Sequence, residues 1–209
     1  MKMHAMAALL VLTAVIVLEG CGGGVKYPNY YTLQVPPPPD PPVQEGVRAS
    51  LAIREFRSPT YLHQGSIVYK TSPEQIGFYN YHRWAVDPRE FVTNAVTDRL
   101  RASGNFTQVK LYDGRSDVDY ILSGRLEKLE EIDYEGGVKV EVAISAQMTS
   151  IVTGATVWTN VVSEMGDVNK HDVAAVVSEM SHTMNRAIEK LLTPAPTGVT
   201  TASTSASGK

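Results

Sequence analysis

The 209-residue chain contains a single cysteine, two tryptophans and four phenylalanines, and its aromatic content is only 8%. One cysteine supports neither an intramolecular disulfide framework nor a multi-cysteine zinc site, so whatever Cys21 does it does alone. Charge of either sign is also in short supply. Lys and Arg total 19 against 22 Asp and Glu, a formal net charge of -3, which leaves no overall basic excess to hold a nucleic-acid backbone. The apolar run Ala5 to Leu18 is shorter than the roughly 20 residues a membrane-spanning helix needs. Catalytic motifs are missing as well. His4, His63, His82, His171 and His182 show neither His-x3-His nor His-Glu-x-x-His spacing, and no Gly-x-Ser-x-Gly elbow occurs. Gly22 to Gly24 follow the apolar run rather than a strand and form no phosphate loop. Asp113, Asp117, Asp119, Glu127, Glu130 and Glu131 lack EF-hand spacing and read as a solvated acidic face. The expectation is therefore a protein that is not an enzyme and has no metal and no cofactor.

What is present begins with an address. The run Ala5 to Leu18 follows Lys2 and His4 and ends at Glu19-Gly20-Cys21, the charged start, apolar middle and small-residue exit of an export signal. Leu18-Glu19-Gly20-Cys21 resembles the bacterial lipobox, with Glu19 standing where a small or apolar residue is usual. The resemblance implies that residues 1–20 are a lipoprotein signal peptide and that the Cys21 thiol becomes the lipidated N-terminus, carrying palmitate-class acyl chains. Several such chains, at about 0.8 kcal/mol per buried methylene, anchor far more firmly than one. Gly22 in place of Asp favours the outer membrane, on the periplasmic side of a Gram-negative envelope.

Residues 21–46 are rich in Gly, Pro and polar residues. Their run Pro36-Pro37-Pro38-Pro39-Asp40-Pro41-Pro42 prefers polyproline II and reads as a stiff tether. Within it Tyr30-Tyr31-Thr32-Leu33 is a strand-like island. If this island joins the sheet, little free tether remains. Residues 194–209 are rich in Thr, Ser, Ala and Gly without period and read as a disordered tail.

Residues 47–193 carry an α+β pattern and 43% hydrophobic content overall, enough for one domain with a core. Val138, Val140, Val142, Ile144, Ala146 and Met148 alternate with polar residues, the mark of a half-buried antiparallel strand. Tyr120 to Leu129 precede it across Gly136-Gly137, and Thr156 to Val162 follow Thr153-Gly154, giving a three-strand meander. Asp87-Pro88-Arg89-Glu90 starts a helix with Val92, Ala95, Val96 and Leu100 on one face and Gly104 as its stop. A second helix from near Asn169 carries Val173, Val176, Val177, Met180, Met184, Ala187, Ile188 and Leu191. One apolar stripe per helix predicts a two-layer sandwich, a mainly antiparallel sheet with two amphipathic helices on one face.

Tyr61, Tyr69, Phe78, Tyr79, Tyr81 and Trp84 crowd into about two dozen residues. Either they form a core cluster, or those beyond the core's capacity anchor a partner or a ligand. Trp84 lies three positions past Tyr81 and beside the cap at Asp87, so it is expected where strand meets helix, whereas Tyr79 and Tyr81 are expected to share a strand face.

Tyr30-Tyr31-Thr32-Leu33, Pro59-Thr60-Tyr61-Leu62, Gly65-Ser66-Ile67-Val68-Tyr69, the run Ile76 to Ala85 and Asp119-Tyr120-Ile121-Leu122-Ser123-Gly124 together resemble the ABC-type transport auxiliary lipoprotein family, of PqiC-like proteins, over about Cys21 to Leu192. That resemblance implies an outer-membrane lipoprotein component of a lipid-moving ABC system, with an MCE-domain protein and ABC transporter subunits as partners and a possible homo-oligomer at the end of the assembly. The tail after Pro194 departs from the pattern. The other reading is a periplasmic carrier of lipid or another small hydrophobic ligand, with the aromatic segment lining its pocket. A large aromatic-lined pocket would favour the carrier, and aromatics at the surface would favour docking.

Overall fold

A computed structural model describes residues 25–38, 49–115, 117–134, 136–170 and 172–197. The signal run, Cys21, the second half of the proline run, His171 and the tail beyond Thr197 lie outside the described residues.

Among the described residues eight strands and two helices follow in order: β1 (Asn29–Tyr31), β2 (Ser50–Ile53), β3 (Ser66–Ser72), β4 (Gln75–Trp84), α1 (Pro88–Ala102), β5 (Gln108–Leu111), β6 (Tyr120–Ile132), β7 (Lys139–Ser150), β8 (Thr156–Asp167) and α2 (Val173–Leu191), with a 3-10 turn over Thr60–Gln64 before β3. The β6–β7–β8 meander is the backbone of the sheet. Its hairpins turn at Gly136 (φ 77°) and Gly154 (φ 70°), left-handed positions that glycine adopts without a Cβ penalty. The opposite edge of β6 is shared: β2 pairs with its beginning and β3 with its end, both in parallel, and between them Arg57 bridges to Arg125. β5 extends β2 on one side, and β4 and β1 extend β3 on the other. The result is a mixed sheet in an α+β fold. Its long ladders, β6–β7, β7–β8 and β3–β4, are antiparallel, whereas β1–β4, β2–β5, β2–β6 and β3–β6 are short and parallel.

Alternation along β7 puts Val140, Val142, Ile144, Ala146 and Met148 into one core. β8 runs to Asp167, beyond the expected end at Val162, because its later inward residue is polar yet paired. Glu164 meets Lys190 at 2.6 Å and Arg186 at 3.9 Å, both from α2.

Both helices cover the same face. Val92, Val96 and Leu100 of α1 and Val176, Val177, Met180, Met184, Ala187, Ile188 and Leu191 of α2 enter one cluster with the sheet. Asp87 caps α1 by accepting the Arg89 N–H at 2.9 Å, and the clasp on its carboxylate comes from the Arg89 guanidinium at 2.7 Å. Gly104, at φ 67°, ends the helix turn. α2 begins at the Asp172 cap, whose Oδ1 accepts the Ala175 N–H at 2.8 Å. Thr93 hydroxyl donates to Arg89 carbonyl and accepts the Phe56 N–H at 3.0 Å, fixing Phe56 beneath α1.

Gly124 of β6 must be glycine because a Cβ there would overlap the Phe56 ring, which is fully buried. Gly124→Ala is expected to cost about 1–3 kcal/mol through overpacking, read as a lower denaturation midpoint. An unchanged midpoint would mean that Phe56 can move aside.

Among the described residues no helix is long and apolar enough to cross a membrane. The acidic residues do not form one solvated face. Asp117 pairs with Lys110 at 2.7 Å and Asp119 accepts the N–H and hydroxyl of Ser50, each at 2.7 Å. Glu130 and Glu131 are instead buried, at 2% and 1% exposure. Burial of two adjacent carboxylates demands hydrogen-bond partners, and the aromatic segment supplies them.

Candidate functional site

The aromatic segment folds into the β1–β4–β3 end of the sheet, against the last residues of β6. Residues of one strand alternate between faces, but the β3–β4 ladder slips register between the Val68–Phe78 and Ser66–Arg83 pairs. The slip breaks the alternation. Tyr79 and Tyr81, expected to share a face, have different surroundings: Tyr79 is half-buried against Glu131, while Tyr81 is 39% exposed under the Lys26 ammonium, 4.4 Å from its ring centre.

The half-buried rings form a continuous row. Tyr69 and Tyr79 lie 5.0 Å apart, Tyr79 meets His82 edge-on at 5.6 Å, and His82 meets Tyr31 of β1 at 5.6 Å. Such tilted and edge-on pairs are the arrangements that ring quadrupoles favour. A hydrogen bond of 2.9 Å joins the Tyr31 hydroxyl to His82 Nδ1. Tyr69 lies directly across from Gly77, where a Cβ would overlap its ring. Phe78 is partly buried against the main core.

Two tyrosines tie this row to the buried carboxylates. Tyr79 hydroxyl donates to Glu131 Oε2 at 2.9 Å, and Tyr61 hydroxyl donates to Glu130 Oε2 at 3.4 Å. Lys70 Nζ adds an ion pair to Glu130 at 3.6 Å. Burial first, then the charge and hydrogen bond of Glu130, pushes the Tyr61 hydroxyl up to about 12 from its ordinary 10. Burial and Glu131 push Tyr79 up as well. A group protonated more firmly in the folded state contributes stability that is whole below its unfolded pKa and is lost as pH rises through the folded one. Stability is thus expected to fall between about pH 10 and 12, and Tyr61→Phe to shrink that fall in denaturation midpoints taken across the range. An alkaline fall identical to the parent's would remove Tyr61 from the account.

Trp84 closes the segment. It is 6% exposed, belongs to the main core and stands opposite Tyr31 in the ladder, with its backbone N–H donating to Gly65 carbonyl at 2.7 Å. Among the described residues its buried indole Nε1 has no hydrogen-bond partner. The six aromatics singled out in the sequence therefore sort by depth: Trp84 is interior, Tyr61, Tyr69, Phe78 and Tyr79 are half-buried, and only Tyr81 is exposed.

Tyr27 and Tyr30, outside the six aromatics singled out in the sequence, are 78% and 64% exposed, and the pairing of β1 with β4 sets Tyr30 opposite Arg83, two positions beyond Tyr81. The signal for them was the Tyr-rich stretch 27–31 itself, masked by its neighbouring prolines. What the arrangement can do chemically follows from its protons. Tyrosines that donate to carboxylates are neither activated nucleophiles nor bases, and among the described residues no group of His, Cys, Asp and Glu could hold a metal ion. The corner offers aromatic surface.

Solved structures share this fold. Protein XCC0632 from Xanthomonas campestris aligns with a TM-score of 0.68 at 16% identity, covering 78% of this chain and 92% of that one. A second crystal structure, of an uncharacterised protein, aligns at 0.61 and 15% identity, covering 80% and 98%. No curated protein matches the chain. The family model for the ABC-type transport auxiliary lipoprotein component matches residues 31–191, from the last residue of β1 to the last of α2. The chain belongs to this family of lipoproteins that are auxiliary components of ABC-type transport.

Proposed function

We propose that this protein is the outer-membrane member of a transport system moving lipids or other hydrophobic molecules across the periplasm, and that it works by docking rather than by catalysis. Family membership supports a transporter partner; the MCE-type bridge and the outer-membrane address rest on the sequence resemblance. In this reading residues 1–20 are removed, Cys21 is acylated, and the body from β1 to α2 is held at the periplasmic surface.

The observation that carries the docking reading is the exposed aromatic edge. Tyr27, Tyr30 and Tyr81 stand in solvent at the β1–β4 edge, and tyrosines are favoured interface anchors because they bring large area at small entropic cost. Tyr27 is six positions after Cys21, a reach of at most about 20 Å in extended chain, so the edge faces the membrane-proximal zone. Clefts of about 230–420 Å³ among the described residues are lined by residues other than the aromatic candidates. Self-association into a ring is part of the same proposal.

The test is capture of the full-length, membrane-anchored protein from detergent extracts. ABC and MCE subunits are expected to accompany it, and replacing Tyr27, Tyr30 and Tyr81 by Ser is expected to lower their recovery by about tenfold or more without moving the melting temperature. Undiminished recovery would sink the aromatic edge as the docking surface, while absence of transporter subunits from the parent capture would sink the partner reading itself.

A further inference from the structure

A different face of the sheet gathers three arginines against fewer carboxylates. Between the segment that follows β2 and the outer face of β6–β7–β8 lies a cleft of about 420 Å³, within the size range of small-ligand sites. Arg54, Arg57 and Arg125 line it with Ser123, Ser145 and Gln147. Glu55 is also in the lining, and the Arg125 Nε is held by Glu127 at 2.8 Å. Arg54 is stacked on Tyr112, its guanidinium carbon 4.6 Å from the ring centre. Among the described residues the Arg57 side chain has no ion-pair or hydrogen-bond partner.

The placement of Arg57 makes this more than a charged surface. It bridges in parallel register to Arg125, so the two arginines are ladder neighbours about 4.8 Å apart in backbone position, and like charges side by side in a ladder are destabilising. The backbone leaves them little freedom to separate: Arg57 N–H donates to Gly124 carbonyl at 3.0 Å, and its carbonyl accepts the Leu126 N–H at 2.8 Å. Phe56, one residue earlier, is fully buried over Gly124, and Arg54 N–H bonds Leu122 carbonyl at 2.9 Å. These backbone bonds thus hold Arg57 beside the Glu127-paired Arg125, where a bound anion would supply the counter-charge that the Arg57 side chain lacks among the described residues.

We propose that this cleft binds a phosphoryl-bearing polar group. Guanidinium forks match phosphate oxygens bidentately, and the Ser123 hydroxyl and Gln147 amide of the lining suit an anion with three or more acceptor oxygens better than a single carboxylate; the Ser145 hydroxyl is taken up by Glu127 Oε1 at 2.7 Å. Two sources share this chemistry, a soluble phosphate ester and a phospholipid headgroup. The cleft lies apart from the aromatic edge and does not depend on the docking reading.

The test is calorimetric titration of the full-length protein in nonionic detergent, at constant ionic strength because exposed charges are screened by salt. Inorganic phosphate is titrated first, then short-chain phosphatidylglycerol below its micelle concentration, with short-chain phosphatidylcholine as the zwitterionic control. Binding of inorganic phosphate that weakens about tenfold in Arg57→Gln, with an unchanged melting temperature, supports the site and a soluble source. Binding confined to phosphatidylglycerol and lost in the same variant supports the site and a headgroup source. Heat no greater than that of chloride, or affinity the same in Arg57→Gln and Arg54→Gln as in the parent, overturns the proposal. So does an Arg57-dependent capture of an acidic protein with no phosphate binding, which would make the cleft a protein contact.

Discussion

Trp84→Ala is expected to lower the folding stability by about 3–5 kcal/mol, the loss typical of a large aromatic truncated in a packed core. The side chain is 6% exposed and shares its cluster with Val92 and Val96 of α1, three residues before the Asp87 cap. Removing it leaves a void where strand hands over to helix. For a chain of this size each kcal/mol moves Tm by roughly 2–4 °C, so a fall of some 6–20 °C is expected in thermal unfolding. Trp84→Phe separates burial from polarity. It keeps most of the ring volume and deletes a buried indole N–H that has no partner among the described residues, so its loss is expected to stay below about 1.5 kcal/mol. A Tm for Trp84→Ala equal to the parent's would show that the indole is not part of the core, and Trp84→Phe melting as low as Trp84→Ala would place its value in the N–H instead.

That Trp84 was legible in advance, while its neighbours Tyr79 and Tyr81 were not, has a physical reason. Burial of Trp84 follows from a local signal, a large apolar side chain three residues before a helix cap. The relation of Tyr79 to Tyr81 depends on a slip in the β3–β4 ladder, and register irregularities leave no trace in a period-two pattern. The meander and both helices were readable because their apolar residues recur at one period along a single face. β5, with four residues of which only Val109 is buried, has too little pattern to stand out. Nor does alternation reveal strand direction: the pairing of β6 with two parallel strands on one edge joins segments far apart in the chain. Glu130 and Glu131 misled for a related reason. Acidic residues in sequence look solvated, and their burial rests on hydroxyls from Tyr61 and Tyr79, 69 and 52 positions away. The exposed edge of Tyr27, Tyr30 and Tyr81 likewise comes into being only when β1 lies against β4.

Cys21→Ser is expected to release the protein from the membrane while leaving the body folded. Acylation requires the thiol, and a serine hydroxyl is no substitute in the thioether linkage that the lipobox resemblance implies. At about 0.8 kcal/mol per buried methylene, even one long acyl chain contributes several kcal/mol to membrane binding, and a second makes the anchoring stable. Loss of all of them leaves the fraction at the membrane to whatever the exposed tyrosines hold through a partner. Folding should be indifferent, since the body begins at β1, with Leu33 buried and Gln34 N–H bonded to the Ser181 hydroxyl at 3.1 Å. Among the described residues the contacts of the first strand, its pairing with β4 included, all lie after Cys21. Fractionation of cells expressing each form, with thermal melting of the purified proteins beside it, reads both expectations. A serine variant found wholly in outer membranes of cells lacking the transporter subunits would end the anchor reading. One that leaves the membrane only in such cells would instead show that docking retains the protein when acylation is lost.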